Sequence, residues 1–148
     1  MANSLWKDYL ALLTSLSQTL EKLTAIERQK TDAVCQGNLP KVEDCMKQEQ
    51  VFSLSLRSLE QKRIKLLSQL GLDGVNLRHL QEHAPEEYDL ETKQVVEELR
   101  RQYTLFQAAS QVARTTLECN LREIERIQQA QSDTAPGEQL PRQTDFRV

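Results

Sequence analysis

The fold is decided by residues 4–40, which read SLWKDYLALLTSLSQTLEKLTAIERQKTDAVCQGNLP. Apolar side chains recur there in steps of three, four and seven, at Leu5, Tyr9, Leu12, Leu16, Leu23, Ile26 and Ala33. This spacing places them on one face of a helix and is typical of coiled coils. Gly37 is the usual residue after a helix C-terminus, and Asn38 and Pro40 are residues that open a new helix. The stretch therefore predicts a helix over residues 4–36 that ends in a tight turn.

A second helix is predicted over residues 39–70, before Gly71. Its apolar positions follow the same spacing, at Val42, Cys45, Phe52, Leu56, Leu59, Leu66 and Leu70. If the two helices form an antiparallel hairpin, the residues that face each other have numbers that sum to about 75, and the apolar positions of the two helices then coincide. The same register brings Lys30 within one turn of Glu49, and Arg63 within one turn of Asp8.

The rest of the chain predicts a connector, a long third helix and a tail. Gly71, Gly74 and Pro85 interrupt the connector, residues 71–86. The helix covers residues 87–131, with its apolar or small positions at Val96, Leu99, Tyr103, Phe106, Ser110, Ala113, Leu117, Asn120, Ile124 and Ile127. Prolines and a glycine in residues 132–148 predict a flexible tail. The sequence thus predicts an all-α protein: an elongated, coiled-coil-like antiparallel hairpin plus a long third helix, forming a single domain over residues 1–131.

Composition excludes several classes of protein. In 148 residues there are only 4 Gly and 4 Pro, too few for a turn-rich sandwich or barrel. The net charge of −3 with interspersed signs argues against a nucleic-acid partner. No apolar run is long enough for insertion into a membrane or for a secretory signal, so we expect a cytoplasmic protein. The 3 Cys, without a Cys-x-x-Cys pair, argue against a disulfide framework.

One motif suggests chemistry. Residues 79–83 read HLQEH, which matches the HxxEH pattern of inverted zinc peptidases, with His79 and His83 as ligands and Glu82 as general base. Such peptidases need a third ligand and a substrate cleft, for which the chain offers no candidate. We therefore expect no enzymatic activity, no cofactor and at most adventitious metal at the histidines, and we keep a small zinc peptidase as an alternative testable by metal analysis.

The third helix carries the candidate binding site. It is longer than the hairpin, so its C-terminal half is expected to extend past it and leave an apolar stripe exposed. Such a stripe is a site for a partner helix. The candidate partner-binding residues are Phe106, Ala113, Leu117, Leu121, Ile124 and Ile127. Self-association of this stripe in a homo-oligomer is the other reading of the same pattern.

The chain resembles the FlgN-like flagellar export chaperones over about residues 5–131. The resemblance rests on the Leu-rich first helix, on the break at residues 37–39, and on the run from Arg63 through Leu66 and Leu67 to residues 70–72. The third helix adds Leu117, Leu121 and Ile124 at the family spacing. Where the family often has an Asn-x-x-Asn pair, this chain has Ser110 and Ala113.

The resemblance implies a function. FlgN-like proteins are cytosolic chaperones without catalytic activity, which hold hook-associated (hook–filament junction) proteins until their export through the flagellar type III apparatus. It implies that the C-terminal part of the third helix binds the terminal helical segments of these clients, keeping them unpolymerised, and that the loaded complex goes to the export apparatus. The competing class is a structural coiled-coil subunit or scaffold that forms a permanent oligomer.

Overall fold

The computed structural model describes the backbone of residues 2–134 and the side chains of residues 3–132. Four α-helices account for nearly all of it: α1 (Ala2–Gln36), α2 (Leu39–Gln69), the short α3 (Leu77–Leu80) and α4 (Asp89–Thr134). Two 3-10 turns, Gln81–His83 and Glu86–Tyr88, join α3 to α4. No strand occurs among the described residues, and the predicted all-α class is confirmed.

Glycine ends both long helices of the first half. Gly37 has φ +68°, and the amides of Gly37 and Asn38 donate to the carbonyls of Val34 and Ala33. Gly71 repeats this arrangement after α2, with φ +73°. These are Schellman caps, which need a left-handed residue that only glycine adopts without strain. The Asn38 side chain then accepts a hydrogen bond from the Lys41 amide and opens α2.

Helix α1 is the centre of the molecule. It packs along α2 and along α4, whereas no Cα atom of α2 lies within 8 Å of one in α4 across the described residues. The main cluster of buried side chains is built chiefly from α1, with smaller contributions from the other helices: Trp6, Tyr9, Leu10, Leu13, Leu16, Leu20, Leu67, Leu80, Val96 and Leu99. A second, small cluster of Ala33, Val34 and Val42 closes the turn between α1 and α2.

Side-chain bonds give the register of the helices. Lys30 Nζ lies 2.7 Å from Glu49 Oε1, as the numbering of facing residues predicts. Arg63 does not lie against Asp8; it donates to Glu60 and, at 3.4 Å, to the hydroxyl of Tyr9. Tyr9 points into the core and Asp8 is exposed, and the Arg63 guanidinium therefore contacts the Tyr9 hydroxyl and not the Asp8 carboxylate.

Helix α4 runs in the same direction as α1. The buried Trp6 Nε1 donates to Thr92 Oγ1 at 3.0 Å, and Asn3 donates to Glu87 one turn earlier. Where we predicted a third helix over residues 87–131, residues 86–88 are a 3-10 turn and α4 continues to Thr134. Residues 132–134, predicted as the start of the tail, are therefore helical, and the rest of that tail, residues 135–148, lies outside the described residues.

Candidate functional site

One face of α4 changes from buried to exposed along the helix. Up to Ala113 most of it is covered: Val96, Leu99 and Ala113 are exposed by 7%, 5% and 2% of their surface, and Tyr103 is the exception at 53%. Further along the same face, Leu117, Leu121 and Ile127 are exposed by 36%, 38% and 48%. The apolar face of α4 thus continues beyond the part that α1 covers.

The register with α1 indicates where α4 extends beyond α1. Thr92 follows Trp6 by 86 positions, and the same offset places the last residue of α1, Gln36, beside Arg122. Residues 123–134 therefore extend beyond α1 by about 18 Å of helix. By the same offset Leu117 and Leu121 lie beside the last two turns of α1, and Ile124 and Ile127 lie beyond it, so the overhang is shorter than we predicted.

Two of the predicted partner-binding residues are covered within the chain, one almost wholly and one in part. Ala113 is almost wholly buried, and Phe106 is half-buried against the main cluster. A small residue at position 113 lets α4 approach its neighbour closely, so this position serves packing within the chain. The surface that remains, here called the terminal stripe, consists of the exposed Leu117, Leu121 and Ile127 and the half-buried Ile124.

Charged side chains occupy the sides of α4 that the terminal stripe leaves free. Arg126 donates to Glu123 at 2.6 Å, and the Arg122 guanidinium lies 3.6 Å from Cys119 Sγ. The hydrogen bond that Arg126 donates to Glu123 raises the pKa of Arg126, so this residue stays charged. An apolar strip with charged edges is the surface that an amphipathic helix covers without burying an unpaired charge.

A polar layer interrupts the apolar packing of α1. Glu27 is a carboxylate in the interior, with 5% of its surface exposed, and Lys30 Nζ lies 3.3 Å from it and 2.7 Å from Glu49. Burial and the nearby negative charge of Glu49 raise the pKa of Glu27, and Lys30 offsets only part of this. The burial of Glu27 was not predicted, although Glu27 continues the three- and four-residue spacing from Leu20 and Leu23.

The HxxEH residues lie on the connector. His79 belongs to α3, and Glu82 and His83 to the 3-10 turn that follows. His79 Nδ1 is 3.3 Å from Glu82 Oε1, and both side chains are more than half exposed. Among the described residues no group of three or more His, Cys, Asp or Glu is placed to hold a metal ion. His79 thus lies against the glutamate that a peptidase would use as its base, and the described residues supply no further ligand.

Comparison with protein-family models, with curated proteins and with solved structures finds no match for this chain. Among the helices that the structure describes, none is both long and apolar enough to cross a bilayer.

Proposed function

We propose that this protein is a cytoplasmic export chaperone that binds the terminal helical segments of flagellar hook-associated proteins. The observation that carries the proposal is the terminal stripe, an apolar helix face that continues past its cover. In this proposal the chaperone keeps its clients from polymerising and delivers them to the flagellar type III export apparatus, with no catalytic step.

The arrangement of the helices supports the proposal. An elongated antiparallel hairpin plus a long third helix is the architecture that the resemblance to FlgN-like chaperones implies. The pairs Lys30–Glu49 and Trp6–Thr92 agree with it, because the first fixes α2 against α1 and the second fixes α4 against α1.

The mechanism follows from the chemistry of the stripe. A client segment that is disordered alone would fold as an amphipathic helix and place its apolar face on Leu117, Leu121, Ile124 and Ile127. The same face of the client drives its polymerisation, so covering this face keeps the client monomeric. Burying a leucine or isoleucine contributes about 1.5–3 kcal/mol, and these side chains are already partly covered, so each adds about 1 kcal/mol. Ordering the client costs several kcal/mol, which keeps affinity moderate and release possible.

A structural coiled-coil subunit remains the alternative, because a second copy of the chain could cover the same stripe permanently. In that case the protein would be a stable oligomer without a reversible client. The two functions differ in what occupies the stripe, so binding of client segments separates them.

The proposal is tested with a pair of variants on α4. Leu121→Glu places a charge in the stripe, whereas Val112→Glu places one at an exposed position, 54% of its surface accessible, on another side of the helix. We expect the first variant to weaken binding of hook-associated terminal segments by at least about a hundredfold, since an unpaired buried carboxylate costs several kcal/mol. Val112→Glu should bind as the unaltered protein does, with equal helix content in both by circular dichroism. Undiminished binding by Leu121→Glu would place the client elsewhere.

A further inference from the structure

A shallow groove separates α1 from α2 near the N-terminal end of α1. Its volume is about 400 Å³. Leu12, Leu59, Leu66 and Ala11 form an apolar floor, and Lys62 and Lys65 form the edge on the α2 side. The groove lies about 20 helical residues before the level of the terminal stripe, which is about 30 Å along the molecule.

The two lysines on the edge have no ion-pair partner among the described residues. Their neighbour Arg63 is engaged with Glu60 and Tyr9, but neither Lys62 nor Lys65 has a carboxylate within 4.0 Å in the part of the chain that the structure describes. They are three positions apart, so both lie on the same side of α2. Asp8 is the charged residue of the opposite, α1 edge.

We propose that this groove binds an amphipathic helix of a partner protein that carries acidic residues along one flank. Leucine-sized side chains of the partner pack on the apolar floor, and carboxylates one turn apart on its flank face Lys62 and Lys65. The positive edge favours a partner with a negative flank, because a basic flank would place like charges next to Lys62 and Lys65.

The dimensions of the groove fit a helix. Its α2 wall extends from Leu59 to Gln69, about 15 Å, which is the length of two to three helical turns. A partner helix in the groove between α1 and α2 would place its side chains between those of the two helices. Each wall of the groove offers apolar residues for this packing. The site is separate from the terminal stripe, so the partner helix bound here is in addition to any helix on the stripe.

The test uses the full chain and a fluorescent synthetic peptide of about 18 residues. The peptide has leucines at positions i, i+4 and i+7 and glutamates along one flank, and a matched peptide has lysines in place of the glutamates. Anisotropy titrations should show saturable binding of the acidic peptide and at least about tenfold weaker binding of the basic one. Binding should weaken as salt is raised.

Variants assign the binding to this groove. Neutralising the edge with Lys62→Gln and Lys65→Gln together should weaken the acidic peptide about five- to tenfold, whereas Asp8→Asn should strengthen it by about twofold. Lys41→Gln with Lys47→Gln removes the same charge from another part of α2 and should leave binding unchanged. Leu121→Glu should also leave it unchanged, which separates this inference from the proposed function.

Several results would overturn the inference. Equal binding of the two peptides, or an equal loss in the Lys41 and Lys47 control, would reduce the effect to general charge attraction. Binding of anionic phospholipid vesicles without binding of the acidic peptide would make the lysines a lipid contact. No saturable binding of the acidic peptide would leave the groove without this function.

Discussion

Ser17, on α1, is a buried polar residue without a hydrogen-bond partner among the described residues. It is 6% exposed, and its hydroxyl has no hydrogen bond within the described residues, whereas Ser15 and Thr14 on the same helix donate to the carbonyls four residues earlier. A buried hydroxyl without a partner costs about 1–3 kcal/mol, so the interior would be better served by an apolar residue of similar size.

Replacing Ser17 should therefore stabilise the fold. We expect Ser17→Ala to raise the free energy of unfolding by about 1 kcal/mol, since it removes the unsatisfied hydroxyl and improves helix propensity. Urea denaturation followed by circular dichroism measures the change. Ser15→Ala is the matched control and should change stability by less than about 0.5 kcal/mol. A loss of stability in Ser17→Ala would mean that the hydroxyl has a partner after all.

Glu27 makes stability depend on pH. Its pKa is raised in the folded state by burial and by the charge of Glu49, so the folded chain holds this proton more tightly than the unfolded chain does. Stability then decreases as pH rises from the ordinary glutamate pKa of about 4.3 to the raised folded value. Below that window both states are protonated, and the effect disappears.

The variant Glu27→Gln should lack this decrease. Its amide resembles the protonated carboxyl and leaves Lys30 paired with Glu49. As pH is raised from about 4 to 7, we expect Glu27→Gln to become more stable relative to the unaltered chain, measured as the difference between their free energies of unfolding. Thermal denaturation at several pH values measures it, and the exposed Glu21→Gln is the control. A difference that is constant across this range contradicts the account of Glu27.

At the scale of single elements, α4 divides into a covered and an uncovered part. The covered part carries Thr92, Val96, Leu99 and Ala113 in the interior, and the uncovered part begins near residue 123. Helix segments with few buried contacts open locally at low cost in free energy.

Hydrogen exchange should reveal this division in the free protein. We expect amides of residues 92–113 to be protected to nearly the level of global unfolding, and amides of residues 123–134 to exchange at least about a hundredfold faster. Exchange followed by mass spectrometry of peptides gives both values in one experiment. Uniform protection up to Thr134 would show that something covers the end of α4, as a permanent oligomer would.

Local pattern was enough to predict most elements. The apolar spacing and the residues Gly37, Asn38 and Gly71 placed the ends of α1 and α2 close to where they lie, because Schellman caps and asparagine N-caps depend on a few neighbouring residues. The 3-10 turns of the connector were not predicted, since they depend on how Leu80 reaches the core. The continuation of α4 beyond residue 131 was also not predicted. The helix can continue there because no proline occurs before Pro136.

At the scale of the whole molecule, the contacts of α1 decide what remains exposed. Periodicity shows that α4 has an apolar face but not how far along that face α1 reaches. The hydrogen bond between Trp6 and Thr92 gives the register of α4 against α1. This register explains why Ala113, predicted as a binding residue, is buried while Leu121 and Ile127 are exposed. Glu27 was missed for a related reason, because its burial depends on how both α2 and α4 lie over α1.

The central claim is that an amphipathic client helix covers the terminal stripe, and its most direct test is calorimetric titration at several temperatures. The titrant is the set of terminal segments of hook-associated proteins from the same organism. The account predicts saturable binding with a negative heat-capacity change, because apolar surface on Leu117, Leu121, Ile124 and Ile127 leaves water as the client folds. No binding to any of these segments, together with a stable oligomer of the chain at low concentration, would contradict the chaperone function and favour the structural coiled coil.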